Sequence, residues 1–167
     1  MPDVYSLVLF VHILAGVALV GHSLGVPVAR SFTRQADTLH ELRRWLAFGA
    51  HAGRLNPVLA LILLASGVYL GSAGWWSQPF FHVAVGAWLV NSALSGAVLK
   101  RSAAAAMSAA VNAGEGPVTP QIDALRRSRR WEVAEQALLA NDLVILLVMF
   151  AKPGLLACLA LLAIANA

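Results

Sequence analysis

The chain has 167 residues, of which 59% are hydrophobic and only 12% are charged, whereas about a quarter of the residues of a soluble domain are charged. This composition excludes an ordinary water-soluble domain, and the single cysteine, Cys158, excludes an intramolecular disulfide and a thiolate metal cluster. The basic excess, twelve Lys and Arg against eight Asp and Glu, falls between apolar blocks, so it indicates membrane topology rather than nucleic-acid binding.

Three apolar blocks predict membrane-spanning helices in the first part of the chain. They cover residues 4–28, 48–71 and 80–99, and each has roughly the twenty residues that a helix needs to cross hydrocarbon. None alternates as the strands of a membrane barrel do. Met1-Pro2-Asp3 lacks the Lys or Arg of a cleavable signal peptide, so the first helix is expected to remain in the mature protein.

The fourth apolar block is interrupted by Lys152-Pro153-Gly154. A span over residues 133–151 places Lys152 at the interface, where its ammonium group reaches water. The alternative span, residues 143–165, buries Lys152 in the bilayer and kinks at Pro153, which costs more free energy. We therefore predict a fourth helix over 133–151 and an apolar tail over 155–167 that lies against the bundle or in the interface.

The basic residues predict the orientation of these helices. They lie between helices one and two (Arg30, Arg34, Arg43 and Arg44) and between helices three and four (Lys100, Arg101, Arg126, Arg127, Arg129 and Arg130). By the positive-inside rule both loops are cytoplasmic, and both termini are outside. Within the cytoplasmic loop 100–132, residues 100–113 are expected to extend helix three, 114–117 to break it, and Thr119-Pro120 to begin another helix.

Ionisable residues inside the predicted spans are functional candidates because charge is costly in a bilayer. The candidates are His12, His22, His51, Arg54, His82 and Asp142. At 1.5 Å per residue, His12 and His82 lie in the outer half of the membrane, whereas His22 and His51 lie in the inner half. Paired imidazoles on facing helices are the usual axial ligands of b-type haem. The sequence therefore favours an outer and an inner haem site.

Two arginines could assist haem binding, since Arg54 follows His51 by one turn and Arg30 lies at the inner edge, where a guanidinium can pair with a propionate. Against two haems, His12 and His22 are ten positions apart, which corresponds to only about 15 Å and about 80° of rotation on a helix. Each histidine also has a simpler interpretation as an interfacial or helix-packing side chain. Asp142 could form an ion pair with Arg54 across helices two and four.

Copper handling is the alternative function. Neutral imidazoles and a thioether suit copper, and Met149 could join the four histidines, although the chain has no His-x-His or Met-rich cluster. A cofactor-free accessory subunit of a larger membrane complex is a third interpretation. No motif of a soluble enzyme is present.

Two stretches resemble small integral membrane proteins related to the copper-resistance protein D domain. They are Leu9-Phe10-Val11-His12-Ile13-Leu14-Ala15-Gly16 with Gly21-His22, and Val148-Met149-Phe150-Ala151-Lys152-Pro153-Gly154. The resemblance spans most of the chain through short motifs. It implies four or more helices, a link to copper tolerance in some members, His12 as the shared first-helix histidine and Lys152-Pro153 as the shared end of helix four. A weaker resemblance, in architecture and histidine placement, is to bacterial four-helix diheme b-type cytochromes.

The sequence thus predicts an all-α integral membrane four-helix bundle, a single membrane domain over residues 1–167, in the bacterial cytoplasmic membrane. Its expected function is electron transfer through haem b, with quinone or a redox protein as the exchange partner. The expected site residues are His12, His22, His51, His82, Arg30 and Arg54, and the four histidines are also the candidate copper ligands. Membrane lipid, a homo-oligomer or a larger membrane complex are the other expected partners, and nucleic acid is not one.

Overall fold

Helices make up most of the chain. The computed structural model describes residues 3–166 and shows eight α-helices and no β-strand among them. The helices are α1 (Val4–Gln35), α2 (Leu39–Ala52), α3 (Asn56–Gly71), α4 (Pro79–Leu94), α5 (Lys100–Asn112), α6 (Pro120–Arg126), α7 (Arg129–Ala151) and α8 (Leu155–Ala165). Met1, Pro2 and Ala167 lie outside the described residues, so the predicted tail can be followed only to residue 166.

Four long helical stretches are apolar enough to cross a membrane. A 3₁₀ turn at Gly53–Leu55 joins α2 to α3, and a π-helical segment at Ser95–Leu99 joins α4 to α5. The four stretches contain 32 to 34 residues each, about 50 Å at 1.5 Å per residue, whereas the hydrocarbon core is about 30 Å thick. The all-helical prediction with four membrane-spanning candidates is confirmed, and each stretch extends well beyond the hydrocarbon.

The two segments between the predicted spans are mostly helical, as expected for residues 100–113 and from Thr119-Pro120 onward but not for residues 29–47. α1 continues past residue 28 to Gln35, and α2 begins at Leu39 rather than at residue 48. Between residues 100 and 132, α5 ends at Asn112, Gly114 and Gly116 adopt positive φ angles of 77° and 124°, and α6 follows. Hydropathy marks only the part of a helix that lies in lipid, which is why the polar helix ends were not recognised between residues 29 and 47.

These polar helix ends form a packed core of their own, which we call the basic end. Its buried residues are Ala36, Leu39, Leu42, Leu46, Ala106, Ala110, Ile122 and Trp131. Arg126 is only 6% exposed, and its Nη1 donates to the carbonyls of Thr33 and Ala36 at 2.6 and 2.7 Å. Because the last carbonyls of a helix lack partners within it, Arg126 completes the hydrogen bonding at the end of α1.

The spanning helices form two pairs. α1 packs along α3, α4 packs along α7, and the pairs meet where α1 contacts α7. α3 and α4 make no comparable contact. The bundle therefore leaves space between its two pairs, and this space holds the cavities described below.

The segment after α7 turns at the far end and runs back along the bundle. Lys152 follows α7 in the left-handed conformation (φ 48°, ψ 50°), and its Nζ lies 4.0 Å from the centre of the Trp75 ring, a cation–π contact. α8 then packs on α4 and α7, and its Cys158 is fully buried near Phe81 and Val148. The predicted tail thus contains a helix, Leu155–Ala165, that lies against the bundle.

Candidate functional site

Two cavities lie between the helix pairs. The outer cavity, farther from the basic end, has a volume of about 310 Å³ and lies among α1, α3, α4 and α7. The inner cavity has a volume of about 550 Å³ and lies mainly among α1, α2, α5 and α7. Of the predicted site residues, His12 and His82 line the outer cavity, and His22 and Arg30 line the inner cavity.

His12 is held on the wall of the outer cavity by Ser66. Its Nδ1 lies 2.9 Å from Ser66 Oγ, and the hydroxyl itself donates to the Ile62 carbonyl at 2.5 Å. Because the single hydroxyl hydrogen points to that carbonyl, Ser66 accepts the Nδ1–H of His12. The lone pair of this imidazole is then on Nε2, the nitrogen that commonly binds haem iron or copper.

His82 reaches the outer cavity from α4 near the far end of the bundle. Its Nε2 donates to the Trp76 carbonyl at 2.6 Å, so its lone pair is on Nδ1 in this arrangement. The outer pair inferred from depth therefore shares one cavity, with His12 more deeply placed than the exposed His82. Met149 and Asp142 line the same cavity.

The inner histidines do not share a cavity. His51 is exposed, and its Nδ1 donates to the Ala47 carbonyl of its own helix at 2.8 Å. Arg54 is also exposed, and neither residue lines the cavity that contains His22. Depth along a helix does not specify which face a residue occupies, and the 3₁₀ turn at Gly53–Leu55 also changes the rotation between α2 and α3.

Asp142 lies in a chain of polar side chains, which we call the polar chain, rather than in an ion pair with Arg54. Ser23 Oγ donates to its Oδ2 at 2.5 Å, and Asn91 Nδ2 donates to its Oδ1 at 2.7 Å. Asn141 donates to Asn91 at 3.1 Å, and Asn166 donates to Asn141 at 2.8 Å. The polar chain connects α1, α4, α7 and the end of α8.

Sequence reasoning missed most of the polar chain because it considered only ionisable residues inside the spans. Asn91 and Asn141 stand within apolar blocks and are 7% and 3% exposed. Since buried amides need hydrogen-bond partners, their position in those blocks was the signal that could have identified them.

Arg30 pairs with a carboxylate of the protein itself. Its Nη1 lies 3.0 Å from Glu135 Oε2, and both side chains are less than 10% exposed. Its guanidinium carbon also lies 4.7 Å from the centre of the Trp131 ring. Glu135 stands inside the predicted fourth span, and the sequence reasoning did not consider it as a partner. Glu135 therefore already pairs with the guanidinium that was expected to bind a haem propionate.

Within residues 3–166, no three His, Cys, Asp or Glu side chains come close enough together to hold a metal ion. His12, His82 and Met149 line the outer cavity together and form a different set of possible donors.

Searches for relatives found no family model, no curated protein and no solved structure with a significant match to this chain.

Gly67 provides a test of how closely α3 approaches His12. A Cβ atom at Gly67 would lie 3.2 Å from Cε1 of His12, whereas a Cβ at Gly86 on α4 would meet no atom within 4 Å. Alanine in a helix interior stabilises by up to about 1 kcal/mol relative to glycine. We expect Gly86→Ala to keep or raise the thermal unfolding temperature in detergent and Gly67→Ala to lower it relative to Gly86→Ala. Equal unfolding temperatures would show that His12 is not held against α3.

Proposed function

We propose that this protein is a membrane electron-transfer protein that binds one haem b in the outer cavity. The observation that supports the proposal is the shared position of His12 and His82, which come from α1 and α4 and line one cavity between the helix pairs. Two imidazoles from different membrane helices are the usual axial ligands of a b-type haem.

The residue types at the outer cavity suit haem iron, because imidazole nitrogens are its usual axial ligands in b-type haem proteins. His12 offers Nε2, while Ser66 fixes its ring and tautomer in the way that outer hydrogen bonds orient metal-binding histidines. His82 would bind through Nε2 after releasing the Trp76 carbonyl, or through Nδ1 as it stands. The described residues that line this cavity include no Lys or Arg, so the cavity wall itself offers no cation to a propionate.

Haem would supply a one-electron change between ferrous and ferric iron. The protein's contribution is to bind and orient it, since the remaining walls are mainly aliphatic and aromatic, including Leu64, Phe81 and Trp88. Such walls exclude water and thereby tune a redox potential. α3 and α4 pack together less extensively than the helices within either pair, and a quinone dissolved in the bilayer is the exchange partner that we propose.

We also propose that the basic end faces the cytoplasm of a bacterial cell and that both termini face the outside. The arrangement is supported by the accumulation of Arg and Lys at one end of the four stretches, which in membrane proteins marks the cytoplasmic side. The outer cavity then lies nearer to the external surface.

The haem proposal is tested by the absorption spectrum of the detergent-purified protein. We expect a reduced-minus-oxidised spectrum with a Soret change and an α-band. His12→Ala should abolish the signal because it removes the oriented ligand, and His82→Ala should shift or weaken it.

The matched controls are His40→Ala and His51→Ala, since both side chains are exposed and line neither cavity. Both should retain the full haem signal. A protein without a Soret band after expression with ample haem would contradict the proposal, and a signal lost on His51→Ala would place haem elsewhere.

Copper binding at the same cavity is the second candidate function, because Met149 lines it together with His12 and His82. Two imidazoles and a thioether would suit copper, and Cu(I) favours soft ligands. If copper is the ligand, Met149→Leu should lower the copper retained after loading, measured by elemental analysis. Met107→Leu, in the inner cavity, should not. Unchanged copper in the Met149 variant would exclude this thioether from the site.

Orientation is tested with single cysteines introduced in a Cys158→Ser background. Ser77 and Ser108 are exposed and lie at opposite ends of the bundle, in the turn before α4 and on α5. A membrane-impermeant maleimide applied to intact bacterial cells should label Ser77→Cys directly and Ser108→Cys only after the membrane is permeabilised. The reverse pattern would invert the proposed topology.

A further inference from the structure

The inner cavity is a second site with a chemistry of its own. Near the basic end, α2 packs on α5 through the buried Leu42 and Ala106. Farther along, the two helices line the cavity with small residues, among them Gly49 and Ala104. Lining residues such as Phe48 and Ala104 are exposed, so the cavity is open rather than enclosed.

The charges of the inner cavity do not balance. Arg30, Lys100 and Glu135 line it, together with the neutral imidazole of His22. Glu135 forms its ion pair with Arg30. The exposed Lys100 forms no ion pair within the described part of the chain. The lining thus carries one excess positive charge at its polar edge and apolar walls elsewhere.

Arg30 is not the cation that a ligand in this cavity would reach. Its side chain is only 5% exposed, its Nε is buried, and its Nη1 lies against Glu135. Lys100 is exposed and lines the same cavity. Lys100 is therefore the accessible positive charge of the lining.

We propose that the inner cavity binds one anionic phospholipid from the leaflet on the side of the basic end. Its phosphodiester group pairs with Lys100, and its acyl chains lie against the apolar walls of the cavity. A single negative charge neutralises the lining, whereas a neutral quinone leaves Lys100 uncompensated. Basic pockets between membrane helices on the cytoplasmic side are known to select anionic headgroups.

The experiment is lipid retention measured by native mass spectrometry. The full-length protein is reconstituted in nanodiscs with equal amounts of phosphatidylglycerol and phosphatidylcholine and is then extracted in mild detergent. We expect one phosphatidylglycerol per chain to remain bound. Lys100→Gln should lower its retention about fivefold, the effect of one interfacial cation on an anionic headgroup.

Filling the cavity provides an independent variant. A Cβ at Gly49 meets no atom within 4 Å, and the same holds at Gly86, which lines neither cavity. Gly49→Leu should abolish lipid retention, and Gly86→Leu should leave it unchanged. Ala104→Leu, at an exposed position of the lining, repeats the test if Gly49→Leu does not fold.

Three outcomes would overturn the proposal. They are equal retention of phosphatidylcholine and phosphatidylglycerol, unchanged retention in both cavity-filled variants, and the loss of a quinone or haem instead of a phospholipid from those variants. The visible spectrum of the same samples distinguishes a failure of the lipid proposal from a failure of the haem proposal. Cavity-filled variants should lose lipid and keep the haem signal, whereas His12→Ala should lose the haem signal and keep the lipid.

Discussion

A hydrogen-bonding side chain inside hydrocarbon must find its partners in the protein, because lipid offers none. Asp142 meets this constraint through Ser23 on α1 and Asn91 on α4. These bonds tie the α1·α3 pair to the α4·α7 pair, whereas α3 and α4 pack together far less extensively. The polar chain thus helps to hold the two pairs together. Both cavities lie in the space that this arrangement leaves between the pairs.

The basic end shows that arginines which mark topology can also build structure. Arg126 occupies the free carbonyls at the end of α1, and Arg30 pairs with Glu135 in a buried position. A buried ion pair is by itself weak evidence for stability. Removing only one partner, however, leaves the other charge buried without compensation and destabilises the fold. The basic end is therefore a packed helical unit rather than a set of loops. Two of its core residues, Leu46 and Trp131, also line the inner cavity.

Histidine illustrates how environment separates residues of the same type. His12 is oriented by a hydroxyl inside an apolar cavity, His82 is tied to a backbone carbonyl near the far end, and His51 bonds its own helix on an exposed face. Only the first two share a cavity. The two proposed ligands are accordingly segregated along the bundle, with the redox group away from the basic end and the anionic lipid beside it.

The sequence by itself determined that the chain is helical with four stretches able to cross a membrane, because hydrocarbon demands long apolar helices. It also indicated the breaks near Gly114 and after Ala151, since glycine and proline act locally. Only the tertiary structure decided that His12 and His82 share a cavity and that His51 does not, and only it revealed Asn91 as a partner of Asp142. Those facts depend on helix rotation and on which helices pack together, and neither is encoded in depth along a single span. The membrane location was thus readable from the chain, whereas the sites within it were set by packing.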